Sequence, residues 1–290
     1  MQATHFWVND ALINVADAKI SVLDHGFTVA DGVFETLLVL DGEVFARNLH
    51  LTRLAKSATG LGIALPEVSK INTAIDEVLA AHQAMEFGRL RITVTSGSGP
   101  LGSERSNAEP TLVVTISAQD KWPESTSALL VPWTRNEDSP LAGLKTTSYA
   151  ENAFALEAAK SHGFSEALFC DTSKRLSEGT GSNVFLVHDE VVFTPSDASG
   201  LLRGVTRDLV IEWARESGIK IEQRDVSPSE LWDAQELFLT SSTRDVLPIT
   251  KLASLETNLE LGNHRMLEVG PMTTNLATMF RQQRTKNMNP

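Results

Sequence analysis

Cysteine, tyrosine and positive charge are all scarce in this chain. Among 290 residues there is one cysteine, Cys170, and one tyrosine, Tyr149. A lone cysteine excludes an internal disulfide and fits a reducing compartment. It sits in Glu-Ala-Leu-Phe-Cys-Asp, which reads as a core thiol on a buried strand rather than as a nucleophile. The net charge of -12 argues against nucleic acid as a partner, because phosphate-binding surfaces need clustered lysine and arginine. No apolar run is long enough to span a bilayer and no basic-then-apolar N-terminal signal is present, so a cytoplasmic location without membrane association is expected. The seven histidines form no His-Glu-x-x-His motif and no Cys/His cluster, which leaves a metal site without support. A G-x-S-x-G elbow and a G-K-[ST] phosphate loop are missing as well.

What remains is the composition of an ordinary globular protein, 42% apolar and 21% charged, long enough for one large or two modest domains. Alternating patterns predict short strands at 6–8, 11–13 and 20–23, then a longer one at 33–40 turned back by Asp41-Gly42. Asn48 is placed to cap a helix running to about Gly60, and a second helix starts near Pro66. Gly97, Gly99 and Gly102 spell G-x-G-x-x-G behind a strand. A dinucleotide-binding turn is nevertheless excluded, since its last glycines must open a helix and here the chain runs into the strand 111–116. Residues 119–128 are polar, contain Pro123 and lack periodicity. They read as a linker between a small α+β domain (1–118) and a larger domain (129–290) in which strands alternate with helices. That domain ends in a helix begun by Pro271.

Within the larger part, Lys145 follows the apolar run Leu-Ala-Gly-Leu and precedes Thr146-Thr147-Ser148-Tyr149. Burial there would favour the neutral, nucleophilic amine that a Schiff-base lysine needs. An isolated lysine would instead read as an exposed loop residue. Downstream, Gly204-Val205-Thr206 opens a helix whose backbone N–H groups and hydroxyl suit a phosphate dianion, although Thr206 also suits an ordinary N-cap.

Lys145-Thr146-Thr147-Ser148-Tyr149 with Asn152, followed by Leu176-Ser177-Glu178-Gly179-Thr180-Gly181-Ser182-Asn183-Val184-Phe185, resembles the core of the class IV, fold-type IV pyridoxal phosphate (PLP) enzymes. These include branched-chain and D-amino-acid aminotransferases and 4-amino-4-deoxychorismate lyases. The resemblance continues through Asp31-Gly32-Val33-Phe34-Glu35, His50-x-x-Arg53-Leu54, Gly204 to Asp208 and Leu239-Thr240-Ser241-Ser242-Thr243, so it covers nearly the whole chain. It implies an α/β fold of the D-amino-acid aminotransferase type, PLP in the cleft between the domains, and a homodimer. Lys145 then forms the Schiff base with PLP and serves as general base, while Glu178 keeps the pyridine nitrogen protonated. The phosphate falls to Arg53, Val205, Thr206 and Ser242, with Tyr149 and Asn183 as further cofactor contacts.

Phe34, Arg91 and Arg244 are the candidate substrate-binding residues. The D-amino-acid enzymes carry an arginine and a histidine as a carboxylate trap where this chain has Pro100-Leu101-Gly102-Ser103. Branched-chain enzymes place a tyrosine where it has Arg89. The resemblance therefore points first to an aminodeoxychorismate lyase, releasing pyruvate and 4-aminobenzoate for folate synthesis. A class IV amino-acid aminotransferase is the alternative, and a non-catalytic binding protein of the same fold is the third possibility.

Overall fold

A computed structural model describes residues 4–290. The chain forms two compact units. The first comprises the chain up to Lys121 together with Leu144–Ser148 and Asn287–Pro290; the second comprises Trp122–Gly143 and Tyr149–Lys286. The lysine segment and the chain's last four residues therefore belong with the first unit, although they lie in sequence within 129–290.

In the first unit, β1 (His5–Val8), β2 (Ala11–Asn14), β3 (Gly32–Leu40), β4 (Glu43–Val44), β5 (Phe87–Thr95) and β6 (Thr111–Ala118) form one sheet in the order β2-β1-β6-β5-β3-β4. All of its pairings are antiparallel. Side chains two apart share a face. Val33, Leu37 and Val39, Leu90, Ile92 and Val94, and Leu112, Val114 and Ile116 form one buried layer with residues of two helices. These are α2 (Arg47–Leu61), through Leu51, Leu54 and Ala58, and α3 (Val68–Ala80), through Ile71, Ala74, Ile75 and Val78. Burying each leucine or isoleucine there stabilises the unit by about 1.5–3 kcal/mol. The opposite face carries Phe34 opposite Thr93, Thr36 opposite Arg91, and Leu38 opposite Arg89.

Two local expectations are corrected, and a third, for the glycine-rich stretch, holds. Residues 20–23 form no strand; Ile20, Val22 and Leu23 are exposed, so their alternation serves no buried face. They lead into the short α1 (His25–Thr28), capped by the fully buried Asp24, which also accepts hydrogen bonds from Thr95 and Thr111. Asn48 is not the cap of α2. The helix starts one residue earlier behind Ala46, held at φ 54°, and Ala46 offers no side-chain cap. The orphan amides are met from far along the chain: Met288 O accepts from Ala46 N–H at 2.7 Å, and Asn289 Oδ1 accepts from Asn48 N–H at 2.9 Å. The glycine-rich stretch after β5 joins two neighbouring strands, and no helix follows Gly102.

Leu144–Ser148 runs beside the start of β3, with Val33 bridging Thr146. Phe34 N–H donates to Lys145 O at 3.0 Å and Thr147 N–H to Gly32 O at 2.8 Å. Helix α2 admits this segment because Gly60 lacks a side chain; a Cβ there would stand 2.8 Å from Leu144.

The second unit holds β7 (Thr126–Arg135), β8 (Glu166–Asp171), β9 (Leu176–Gly179), β10 (Asn183–His188), β11 (Val191–Pro195), β12 (Ile221–Arg224), β13 (Glu236–Ser241), β14 (Asp245–Leu255) and β15 (Leu261–Met266). Their order is β12-β11-β10-β13-β14-β7-β8-β9, with β15 added on β14. The pairs β7/β8 and β11/β12 are parallel. Each needs a crossover, supplied by α4 (Ala150–Ser161) and α5 (Val205–Glu216) respectively. A short α6 (Glu230–Asp233) and the long α7 (Pro271–Lys286) complete the unit. Phe185 and Phe238, partners across β10 and β13, stack at 4.7 Å, and Trp213 of α5 meets Phe280 of α7 at 5.2 Å. No helix among the described residues is long and apolar enough to cross a membrane.

Candidate active site

In the first unit the candidate residues gather around one ring and one carboxylate. Lys145 is half-buried, and its backbone is clamped from two sides. Its N–H donates to Ser57 Oγ of α2 at 3.0 Å, and its carbonyl accepts from Phe34. Its Nζ stands 4.5 Å from the centre of the Phe34 ring, and the Arg91 guanidinium lies 3.8 Å from that centre. Arg91 Nε also donates to Thr93 Oγ1 at 3.1 Å.

Glu35 follows Phe34 and so faces the opposite, helix-covered side of the sheet, where it is fully buried. A carboxylate in such a layer needs partners. Both come from α2, where His50, Arg53 and Ser57 share a face at helical spacing. Arg53 grips Glu35 twice, Nε to Oε1 at 2.7 Å and Nη2 to Oε2 at 2.8 Å, and His50 Nδ1 reaches Oε2 at 2.7 Å. Burial opposes ionisation of Glu35, but the charge and hydrogen bonds of Arg53, then of His50, hold its carboxyl well below the usual range. Burial likewise pushes His50 below its ordinary value, with Arg53 and Lys145 adding to that effect against the pull of Glu35. In this bond Nδ1 donates, because the carboxylate can only accept.

In the second unit Glu178 lies near the end of the short β9. It is 9% exposed; its Oε2 accepts from Leu202 N–H at 3.0 Å, and its Oε1 lies 3.4 Å from Arg135 Nε. Asn183 opens β10 and donates from Nδ2 to Leu202 O at 2.9 Å. Gly204 packs so closely on it that a Cβ there would stand 2.2 Å from Asn183 Oδ1. Gly204 is the N-cap of α5 and offers no side-chain cap, so Thr206 is the second residue of the helix rather than its cap. The Thr206 hydroxyl is buried at the helix start, and Thr240, opposite Asn183, has a buried Oγ1 with no hydrogen bond among the described residues. Tyr149 is the N-cap residue of α4, and Ser242 is half-buried just after β13.

Arg244 does not stand open to a ligand. Its Nη1 lies 2.5 Å from Oε2 of the fully buried Glu166, and its guanidinium stacks 4.3 Å from the Trp122 ring. Glu166 also accepts from Thr180 N–H at 3.0 Å, from the Thr180 hydroxyl, and from Ser182 Oγ at 2.9 Å. Arg244 is thus part of a structural cluster that holds the turn after Glu178. Glu166 carries no local signal, since apart from the N–H of the next residue, Ala167, its partners lie 14 to 78 residues away. Ser57 and Arg135 were overlooked too. The i, i+3, i+7 spacing of His50, Arg53 and Ser57 could have pointed to Ser57. Cys170 is buried, and burial pushes its thiol up to about 11, so it is no nucleophile at neutral pH.

The donor set suits PLP. The first unit holds an amine of the kind its aldehyde needs; the second holds a carboxylate able to pair with a pyridinium, and a helix start without a side-chain cap, of the kind that binds phosphate. Comparison with known proteins agrees. The family described as amino-transferase class IV matches residues 32–252. A provisionally named branched-chain-amino-acid aminotransferase of Methanocaldococcus jannaschii is 31% identical over 97% of this chain and 96% of its own. The branched-chain aminotransferase of Thermoproteus uzoniensis, solved with norvaline, superposes with a TM-score of 0.88 at 26% identity, covering 97% of this chain and 94% of that one. A hypothetical aminotransferase of Mycobacterium tuberculosis in its PLP-bound form gives 0.82 at 26% identity, with 96% and 97% covered. The chain belongs to the class IV aminotransferase family and is a PLP-dependent enzyme of fold type IV.

Proposed function

We propose that this enzyme is a 4-amino-4-deoxychorismate lyase, and that Lys145 is the amine to which PLP attaches. Bound PLP supplies an electron sink for the substrate carbon that carries the amine. Every other step falls to side chains. Lys145, freed by the incoming amine, takes the proton from that carbon. Glu178 keeps the ring nitrogen protonated. Val205 and Thr206 at the start of α5, with Ser242 and Arg53, hold the phosphate, and Glu35 fixes Arg53 in turn. Tyr149 and Asn183 complete the cofactor contacts. The products are pyruvate and 4-aminobenzoate.

The observation that carries the choice of substrate is the pairing of Arg91 and Lys145 on one ring, Phe34, at 3.8 and 4.5 Å. A substrate whose amine reacts at Lys145 would bring a carboxylate within reach of a fixed guanidinium, and Arg89 stands on the same face of β5. Aminodeoxychorismate has two carboxylates to offer, whereas leucine or valine would set an apolar side chain against cations. Arg244, committed to Glu166, is withdrawn from the substrate set.

A branched-chain or other amino-acid aminotransferase is the second reading, favoured by the names of the relatives at 31% and 26% identity. Within the proposal the protein is a cytoplasmic homodimer. The exposed Ile20, Val22, Leu23, Phe27 and Val29 within one ten-residue stretch suit burial against a second copy, which sedimentation would test. For the activity, purified protein is assayed with aminodeoxychorismate and with amino-acid and keto-acid pairs. 4-Aminobenzoate should appear. Arg91→Ala should raise KM for aminodeoxychorismate by roughly the 1.5–3 kcal/mol of one charge-assisted hydrogen bond, with PLP retained. If leucine and valine prove far better substrates, the aminotransferase reading takes its place.

A further inference from the structure

We propose that Arg135 is a positioning residue for Glu178, holding that carboxylate ionised and aimed for the cofactor's ring nitrogen. The inference rests on the role given to Glu178 above and adds to it the device that makes the role possible. A carboxylate on a side chain only 12% exposed tends to take up a proton or turn toward solvent unless a cation and donors hold it. Glu178 has a donor, Leu202 N–H, and a cation, Arg135. The sequence between residues 178 and 183, with Gly179 and Gly181, has little stiffness of its own.

Arg135 is itself well fixed. It is the last residue of β7, paired in register with Asp171 of β8, and its guanidinium lies 4.6 Å from the centre of the Phe169 ring. Its Nη1 donates to Asn152 Oδ1 at 3.1 Å, and Asn152 Nδ2 donates to Thr180 O at 2.6 Å. The Arg135 fork therefore reaches the same turn by two routes, directly at residue 178 and through Asn152 at residue 180. Its Nε is buried and makes no hydrogen bond among the described residues, while standing 3.4 Å from Glu178 Oε1. That is the position of a charge partner rather than of a strand-end arginine reaching for water. On the far side of the turn, Glu166 holds Thr180 and Ser182. The peptide carrying Glu178 is thereby gripped from both flanks, and Arg135 brings a guanidinium to the carboxylate itself.

The test compares two cofactors in the full-length protein: PLP, and its analogue with a carbon in place of the ring nitrogen. Wild-type protein is first titrated with PLP and reduced with borohydride. Failure of a label to appear on Lys145 would remove the cofactor assignment itself, an outcome distinct from any result with the Arg135 variants. Arg135→Gln should weaken PLP about tenfold, the size of one lost charge-assisted contact, while the carbon analogue keeps its affinity within about twofold. Glu178→Gln should show the same selective loss, and the double variant should be no worse than Glu178→Gln alone. Equal loss of both cofactors, unchanged PLP affinity, or multiplied losses in the double variant would each overturn the proposal. Should Arg135→Gln not fold, Arg135→Lys, which keeps the charge but not the fork through Asn152, enters the same comparison.

Discussion

The two units each contain a fully buried glutamate that grips an arginine, yet the two clusters are assembled in different ways. Glu35 takes both partners from a single helix 15 and 18 residues further on. Glu166 collects partners from two places along the second unit, Thr180 and Ser182 in one turn and Arg244 78 residues away. The first cluster fixes a side chain, Arg53, on a helix that also anchors Lys145 through Ser57. The second fixes a stretch of backbone, the turn that follows Glu178. A buried carboxylate can thus serve either to aim a cation or to stiffen a loop, and which it does depends on whether its partners are side chains of one element or donors along a turn.

The largest expected effect tests whether the first cluster serves catalysis at all. Lys145→Ala should lower turnover by at least about a thousandfold, and borohydride should place no pyridoxyl label on the variant. A label on another lysine would detach Lys145 from the chemistry.

The comparison itself is sharpened by Glu35→Gln and Glu166→Gln. Each leaves an arginine without its buried partner and should cost about 3–5 kcal/mol of unfolding free energy in a urea titration. Only Glu35→Gln should also weaken binding of PLP through its phosphate. Similar phosphate-dependent losses in both variants would erase the distinction.

A smaller effect separates the clusters by pH. His50 has its folded pKa below the unfolded value of 6.5, so the unfolded state binds the extra proton first. Stability should therefore fall as pH drops below about 6.5, by no more than about 1.4 kcal/mol per pH unit. The fall should continue until the folded pKa is reached. Thermal melts of His50→Gln should lack that slope, whereas melts of Glu166→Gln should keep it.

The smallest is Asn289→Ala, which removes the distant cap of α2 and should cost about 1 kcal/mol. Faster amide exchange confined to the first turn of that helix would report it, and no change there would show that Asn289 Oδ1 does not serve as the cap.

Much of this was legible before any coordinates. The family, the α/β class, the PLP dependence and most helices follow from short-range patterns, because helical and strand periodicity and contiguous motifs such as Lys145-Thr146-Thr147-Ser148-Tyr149 are local properties of the chain. The errors are local signals that tertiary structure overrode. Residues 20–23 alternate like a strand but find no sheet to bury one side, and Asn48 has the right side chain for a cap that a residue 241 positions away provides. Arg244 shows the limit most clearly. Its place beside a phosphate motif suggested a ligand, and nothing near it in sequence announced Glu166.

By itself, then, the order of residues determined which elements form and which motif residues are present, since those depend on neighbours a few positions apart. Only the tertiary structure decided which charges are already taken. A charge buried without a partner is costly, so each buried carboxylate needs a cation, and the packing of strands, helix and turns places Glu166 against Arg244, Glu178 against Arg135, and Glu35 against Arg53, from positions far apart in the sequence.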